Sequence, residues 1–82
     1  MEARTKNEIN WLSSLGSHIE KLIEKEGYSS PYEFWINADI GISRTTLNYI
    51  LRGKVDVKVC TLRKIALALN VRPNDLLNFS KN

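Results

Sequence analysis

The stretch from Gly41 to Lys54, GISRTTLNYILRGK, constrains the fold of this 82-residue chain more than any other. A serine precedes a periodic apolar run, and Gly53 closes that run about three turns later, which are the usual start and stop signals of a short helix. Leu47, Ile50 and Leu51 follow the i, i+3, i+4 spacing of one helical face. The sequence therefore predicts a short helix, near residues 43–52, that packs one side on a core.

The opposite face of this predicted helix is polar and contains no acidic residue. Six of the twelve Lys and Arg side chains lie between residues 43 and 64, beside only one of the nine acidic side chains. The other 60 residues therefore carry six basic and eight acidic groups. Such an asymmetry is expected of a surface that binds a polyanion, although charge alone would fit a solvated basic surface equally well.

Length and composition predict one small globular domain over residues 1–82. Apolar residues make up 43% of the chain and charged residues 26%, which is ordinary for a folded protein. The sequence has no run of the roughly 20 apolar residues that a membrane-spanning helix needs, and it does not open with a signal-peptide pattern. A single cysteine excludes an intrachain disulfide. We therefore expect a soluble, cytoplasmic protein.

The remaining segments predict further helices and no sheet. Residues 1–11 are polar, and we expect a flexible or short extra-helical segment there, with the globular core over residues 12–79. Ser30 followed by Pro31 is a helix start. Three alternating valines after Gly53 predict an extended connector that covers the core, because no second strand-like segment is present to pair with it. The other predicted helices begin near residues 12, 31, 61 and 73.

Three segments carry a resemblance to a known family. LGSHIEKLIEKEG, ISRTTLNYILRGK and TLRKIALALNVRPNDLL occur in that order and, with the residues between them, span about residues 15–77. They resemble the phage-repressor type (Xre family) of helix-turn-helix DNA-binding domain. The resemblance implies an all-α, compact five-helix bundle in which the second and third helices form the helix-turn-helix. It also implies a homodimeric transcriptional regulator, commonly a repressor, whose third helix enters the major groove of double-stranded DNA.

The segment PYEFWINADIGIS departs from the family pattern. It is one or two residues longer than usual, and it lacks the glutamine that commonly contacts a phosphate near the start of the second helix. Two arrangements remain open. Either the loop before the second helix absorbs the extra length and Ile36 and Ile40 are the anchors, or the turn between the helices is expanded and Phe34 is the anchor.

The resemblance gives each exposed residue an expected role. Base edges are read from the exposed face near the N-terminus of the third helix, where arginine suits guanine and asparagine suits adenine. The predicted base contacts are Arg44, Thr45, Thr46, Asn48 and Tyr49. The predicted phosphate contacts are Ser30, Tyr32, Ser43, Arg52, Lys54 and Lys58, with Ser43 acting mainly as a helix cap. The predicted dimer surface is Leu76, Leu77 and Phe79, with the segment 9–11 as a second choice.

Other function classes find less support in the residues. The sequence shows no Cys/His or His/carboxylate set for catalysis and no phosphate-binding glycine loop, so we expect no enzyme activity and no cofactor. His18, the only histidine, lacks partners at ligand spacing, so we expect no metal site. The alternative is a protein-interaction module, such as the antitoxin of a toxin–antitoxin pair or an adaptor, that binds its protein partner through exposed aromatic residues.

Overall fold

The computed structural model of the chain describes residues 5–79, which form five α-helices and no strand. The predicted all-α fold is therefore confirmed over this range. The helices are α1 (Lys6–Lys25), α2 (Pro31–Ala38), α3 (Arg44–Leu51), α4 (Val59–Ala68) and α5 (Pro73–Leu77).

The first helix begins earlier than the apolar pattern predicts. The Thr5 hydroxyl accepts a hydrogen bond from the Glu8 N–H at 3.1 Å, and the Glu8 carboxylate accepts one from the Thr5 N–H at 2.8 Å. This reciprocal pair is a capping box, and it starts α1 at Lys6. Residues 6–11 are therefore helical and continuous with the rest of α1, and residues 1–4 lie outside the described range.

The fourth helix also begins earlier, at Val59 instead of the predicted residue 61. Val59 is 81% exposed and therefore does not cover the core, whereas Val55 and Val57 pack against it as expected. The connector between α3 and α4 is not part of a sheet, because no strand exists within residues 5–79. Asn70, with φ of 60°, adopts the left-handed conformation after α4, which is a common way for a helix to end.

All five helices contribute to one hydrophobic core. The fully buried side chains are Leu15, Ile19, Ile23, Phe34, Leu47, Ile65, Leu69 and Leu76. In α3 the buried residues are the three predicted from the periodicity, Leu47, Ile50 and Leu51. The core thus holds the apolar face of α3 and leaves its polar face outward.

Two glycines allow α1 and the end of α3 to touch backbone to backbone. A Cβ built on Gly16 would clash with the Leu51 carbonyl oxygen and lie 2.6 Å from that of Ile50. A Cβ built on Gly53 would lie 2.6 Å from the Ser13 nitrogen, and its φ of 71° also favours glycine. These contacts fix the C-terminal end of α3 on the middle of α1.

The last helix places its apolar residues differently from the prediction. Leu76 is completely buried in the core of its own chain, so it cannot form a dimer surface, and that part of the prediction is wrong. Phe79 is half-buried, with its ring centroid 5.4 Å from that of Trp11 and 5.7 Å from that of His18. Leu77 is 46% exposed and is the member of the predicted dimer set that faces solvent most.

Within residues 5–79, no helix combines the length and the apolar character that crossing a membrane requires.

Candidate nucleic-acid interface

The turn between α2 and α3 is five residues long. It runs over residues 39–43 and contains two left-handed residues, Asp39 with φ of 51° and Gly41 with φ of 75°. Phe34 is completely buried and Ile40 is 4% exposed, whereas Ile36 is 52% exposed. Of the two sets of anchors that the sequence left open, the burial therefore supports Phe34 and excludes Ile36. Ile40 assists from within the turn, and Ile36 is not an anchor.

Trp35 holds this turn against α2. Its indole Nε1–H donates a hydrogen bond to the Ile42 carbonyl oxygen at 2.8 Å. Its ring also stacks on Tyr32, with centroids 6.0 Å apart and planes inclined by 27°. Tyr32 and Trp35 are three residues apart in a helix and so project from the same side of α2. Together they fix the chain immediately before α3 begins.

The N-terminus of α3 is capped by Ser43, as predicted. The Ser43 hydroxyl accepts from the Thr46 N–H at 3.0 Å and donates to the Thr46 hydroxyl oxygen at 2.9 Å. The hydroxyl thus uses its proton and one acceptor site within the helix. Ser43 is therefore a helix cap and not a phosphate contact. Thr46 is also engaged in this pair, which makes it the least available of the predicted base contacts.

The outward face of α3 presents the remaining predicted residues together. They are Arg44, Thr45, Asn48, Tyr49 and, at the C-cap, Arg52, and all of them are exposed. The Arg44 guanidinium lies over the Tyr32 ring, 4.3 Å from its centroid. This contact joins the first residue of α3 to α2 across the turn.

The N-terminus of α2 is occupied by the chain's own carboxylate. Ser30 caps the helix by accepting from the Glu33 N–H at 3.1 Å. Glu33 in turn accepts from the Ser29 N–H at 2.5 Å and from the Ser29 hydroxyl at 2.9 Å. The bond from the Ser29 backbone has the larger effect and that from the Ser29 hydroxyl the smaller one, and both lower the pKa of Glu33 from its ordinary value. A phosphate would meet this negative charge, so the structure argues against the predicted phosphate contact at Ser30.

The N-termini of α3 and α4 have the opposite character. Neither has an acidic residue in its first turn, whereas α1, α2 and α5 carry Glu8, Glu33 and Asp75 there. Lys58 is the N-cap of α4 and makes no side-chain capping bond, and both Lys58 and Lys54 are exposed. The positive ends of these two helix dipoles are thus accompanied by exposed basic side chains in the same segment of the chain. This combination favours anion binding.

The aromatic stack is the part of this site that sequence reasoning missed. From the sequence, Tyr32 is predicted only as a phosphate contact and is not paired with Trp35. Their spacing of three residues on a predicted helix was a usable signal that they could pair. The contact of Tyr32 with Arg44 depends on the crossing of α2 and α3, which no local pattern encodes.

Other kinds of site receive no support from the part of the chain that the structure describes. It contains no cluster of three or more His, Cys, Asp or Glu side chains able to hold a metal ion. His18 instead makes a 2.8 Å hydrogen bond between its Nε2 and the Asp75 carbonyl oxygen. This bond ties α1 to α5 and gives the histidine a structural role.

Comparison with known proteins agrees with this geometry. The model of the Cro/C1-type HTH DNA-binding domain family matches residues 18–82. Searches of curated proteins and of solved structures give no significant match. The family match spans both helices of the helix-turn-helix and the whole of the basic segment that follows them. The chain therefore belongs to the Cro/C1-type helix-turn-helix family of DNA-binding domains.

Proposed function

We propose that this protein is a sequence-specific regulator of transcription, acting as a repressor that binds an inverted-repeat operator as a homodimer. The observation that carries the proposal is the exposed, acid-free face of α3, held outward by a fully buried apolar face. A helix of this kind fits the major groove, with its N-terminal residues nearest the base edges. The proposal places the protein in the cytoplasm and assigns it no catalytic activity and no cofactor.

The proposed base contacts follow from the chemistry of the groove. Arg44 donates two hydrogen bonds to a guanine, and Asn48 pairs with an adenine. Thr45 offers its hydroxyl or its methyl group, the latter to a thymine. Tyr49 lies one residue beyond Asn48 and is 46% exposed, so it can reach either a base or the backbone. Thr46 contributes least, because its hydroxyl is already bonded to Ser43.

The proposed phosphate contacts are the basic residues after α3. Arg52, Lys54 and Lys58 are all exposed, and they follow one another from the C-cap of α3 to the N-cap of α4. Contacts of this kind position a protein on the duplex and make its affinity depend on salt, without reading sequence.

The proposed dimer surface is narrower than the sequence predicts. With Leu76 buried, Leu77 and the exposed edge of Phe79 remain at α5. Trp11, which is 48% exposed, extends this apolar area, because it packs on Phe79. Ile9 is equally exposed, but a residue two positions earlier in a helix points to a different side. The same area would serve a protein partner, such as a toxin, if the chain acts as an antitoxin or an adaptor.

The proposal is tested by selecting duplexes from a random DNA pool with the purified protein at fixed salt. We expect an enriched inverted repeat whose half-sites lie about one helical turn apart. Arg44→Ala should then relax one base position, by the roughly 1–3 kcal/mol that a bidentate contact is worth. Loss of all retention at low salt would contradict DNA binding and direct attention to a protein partner. A single unpaired motif, bound by one copy, would contradict only the homodimer.

A further inference from the structure

The contact between Arg44 and Tyr32 gives α2 an unexpected part in the site. Arg44 is the first residue of α3, where the positive end of the helix dipole disfavours a cation. Its guanidinium nevertheless packs on the face of the Tyr32 ring, 4.3 Å from the ring centroid, and we call this contact the seat of Arg44. The negative face of an aromatic ring attracts such a cation. The ring therefore holds an arginine that its own helix does not favour at that position.

The seat leaves the hydrogen-bonding capacity of Arg44 free. A ring face attracts the guanidinium through its quadrupole and accepts no conventional hydrogen bond, so the N–H donors remain available to a base edge. An exposed arginine otherwise has many rotamers, and ordering it on binding costs conformational entropy. A side chain that is already seated loses less of that freedom when it meets a base.

The Tyr32 ring that contacts Arg44 is itself held in place. Tyr32 stacks on Trp35, and Trp35 is bonded through its indole nitrogen to the Ile42 carbonyl oxygen. Ile42 immediately precedes the Ser43 cap of α3. The stack therefore runs from α2 through the turn to the start of α3, and it sets the position of the Arg44 side chain relative to the helix that carries it.

We infer that Tyr32, backed by Trp35, is a specificity-determining residue that acts by positioning Arg44 toward a guanine. The inference rests on the proposed DNA-binding function and deepens it. It replaces the predicted phosphate contact of the Tyr32 hydroxyl with a role for its ring. The side chain is 46% exposed, so it can be changed without opening the core.

Two substitutions separate the ring from the hydroxyl. Affinities are measured for the enriched operator and for every single-base variant of it, at several salt concentrations. Tyr32→Phe keeps the ring face, and we expect it to keep the base preference. Tyr32→Leu removes the ring, and we expect discrimination to fall about two- to five-fold, the worth of an exposed cation–π contact, only at the position that Arg44→Ala relaxes.

A double-substitution cycle tests whether Tyr32 acts through Arg44. In the Arg44→Ala background, Tyr32→Leu should cause no further loss of discrimination. In the free protein, the NMR signals of the Arg44 δ protons should lose their ring-current shift in Tyr32→Leu and keep it in Tyr32→Phe. Ile36→Ala, an exposed change on the same helix, is the matched control and should leave both readouts unchanged.

Three results would overturn the inference. A uniform loss of affinity for all sequences in Tyr32→Phe, with an unchanged salt slope because the hydroxyl carries no charge, would show that the hydroxyl contacts a phosphate. An equal loss from Tyr32→Leu with and without Arg44 would show a role independent of that arginine. If Tyr32→Leu binds the operator with an unchanged base preference, Tyr32 has no role in specificity, while the proposed function stands. Failure of the unaltered protein to bind any duplex would instead remove the proposed function and this role together.

Discussion

At Gly16 the absence of a side chain decides how closely two helices can approach. The nearest atoms to a Cβ at this position are backbone carbonyl oxygens of Ile50 and Leu51, which cannot move aside as a flexible side chain would. Alanine normally stabilises a helix interior by about 0.5–1 kcal/mol relative to glycine. Here the clash with backbone should outweigh that gain.

We therefore predict that Gly16→Ala lowers the free energy of unfolding by about 1–3 kcal/mol, the usual cost of overpacking. Urea denaturation measures this change. Ser14→Ala, an exposed change in the same helix, is the control and should stay within about 0.5 kcal/mol of the unaltered protein. A stabilised Gly16→Ala variant would show that α1 and α3 are not in backbone contact.

At Glu33 the charge itself is part of the helix start. The bonds from Ser29 favour the ionised carboxylate and lower its pKa in the folded state below the ordinary value of 4.5. The unfolded chain therefore binds the proton more tightly than the folded one. The stabilisation by Glu33 is present above about pH 4.5 and is lost as the pH falls through the lower pKa of the folded state.

This sign predicts the behaviour of Glu33→Gln. The variant should be less stable than the unaltered protein at neutral pH, and the difference should shrink steadily as the pH falls below 4.5. Thermal unfolding followed by circular dichroism between pH 3 and pH 7 measures it. Glu20→Gln, an exposed change on α1, serves as the control. A constant difference at all pH values would mean that Glu33 acts by packing and not by charge.

Among the helices, α2 shows how one buried ring can anchor a short element. Phe34 is the buried residue of α2, and its ring meets that of Tyr28 edge to face, with centroids 5.3 Å apart. Ile36, two residues later, points to solvent. The position of the whole helix, and with it the Tyr32 ring, therefore depends on Phe34.

We predict that Phe34→Ala destabilises the fold by about 3–5 kcal/mol, as is usual for removing a buried ring. Ile36→Ala should change the free energy of unfolding by no more than about 0.5 kcal/mol. Chemical denaturation of both variants measures the contrast. If Phe34→Ala is unfolded without denaturant, Phe34→Leu gives a measurable intermediate loss. Equal effects at residues 34 and 36 would contradict the anchoring of α2 by Phe34.

The starts of the helices show how far local signals reach. Ser30 with Pro31 and Ser43 with Gly53 marked α2 and α3 correctly, because capping depends on residues adjacent in the chain. The capping box of Thr5 and Glu8 is an equally local signal. It precedes the apolar pattern that begins at Leu12, and the helix start was predicted from that pattern.

The tertiary features were beyond the reach of such signals. A five-residue helix such as α5 cannot reveal from its sequence which of Leu76 and Leu77 is buried. The choice between Phe34 and Ile36 likewise depended on the length of the turn. The seat of Arg44 on Tyr32 joins two helices and depends on the angle between them.

On the scale of the whole molecule, charge separates one surface from the rest. Neither α3 nor α4 has an acidic residue in its first turn, and Asp56 is the one acidic residue between residues 43 and 64, whereas α1, α2 and α5 each begin with an acidic residue in the first turn. This distribution explains why a net charge of only +3 is compatible with binding to DNA.

The separation predicts different outcomes for two lysine substitutions. Lys54→Ala should weaken binding to all duplexes alike and reduce the slope of log affinity against log salt by about 0.9. Lys21→Ala, which removes the same charge from α1, should change the slope little. Fluorescence anisotropy titrations from 50 to 200 mM salt measure both. Equal slopes for the two variants would show that overall charge, and not this surface, drives association.

The two ends of α3 are held in different ways, and this has a mechanical consequence. The end near Gly53 is pinned to α1 through backbone contacts, so it acts as a pivot, while the Arg44 end is set by the turn. An eight-residue helix is about 12 Å long, so a rotation of roughly 10° about the pivot would displace Arg44 by about 2 Å. Substitutions at turn positions other than the buried Ile40 could therefore change the direction of the N-terminal end of α3 while the core stays intact. A change in the angle of α3 could thus alter the DNA sequence that this protein prefers, without any change in the residues that α3 presents.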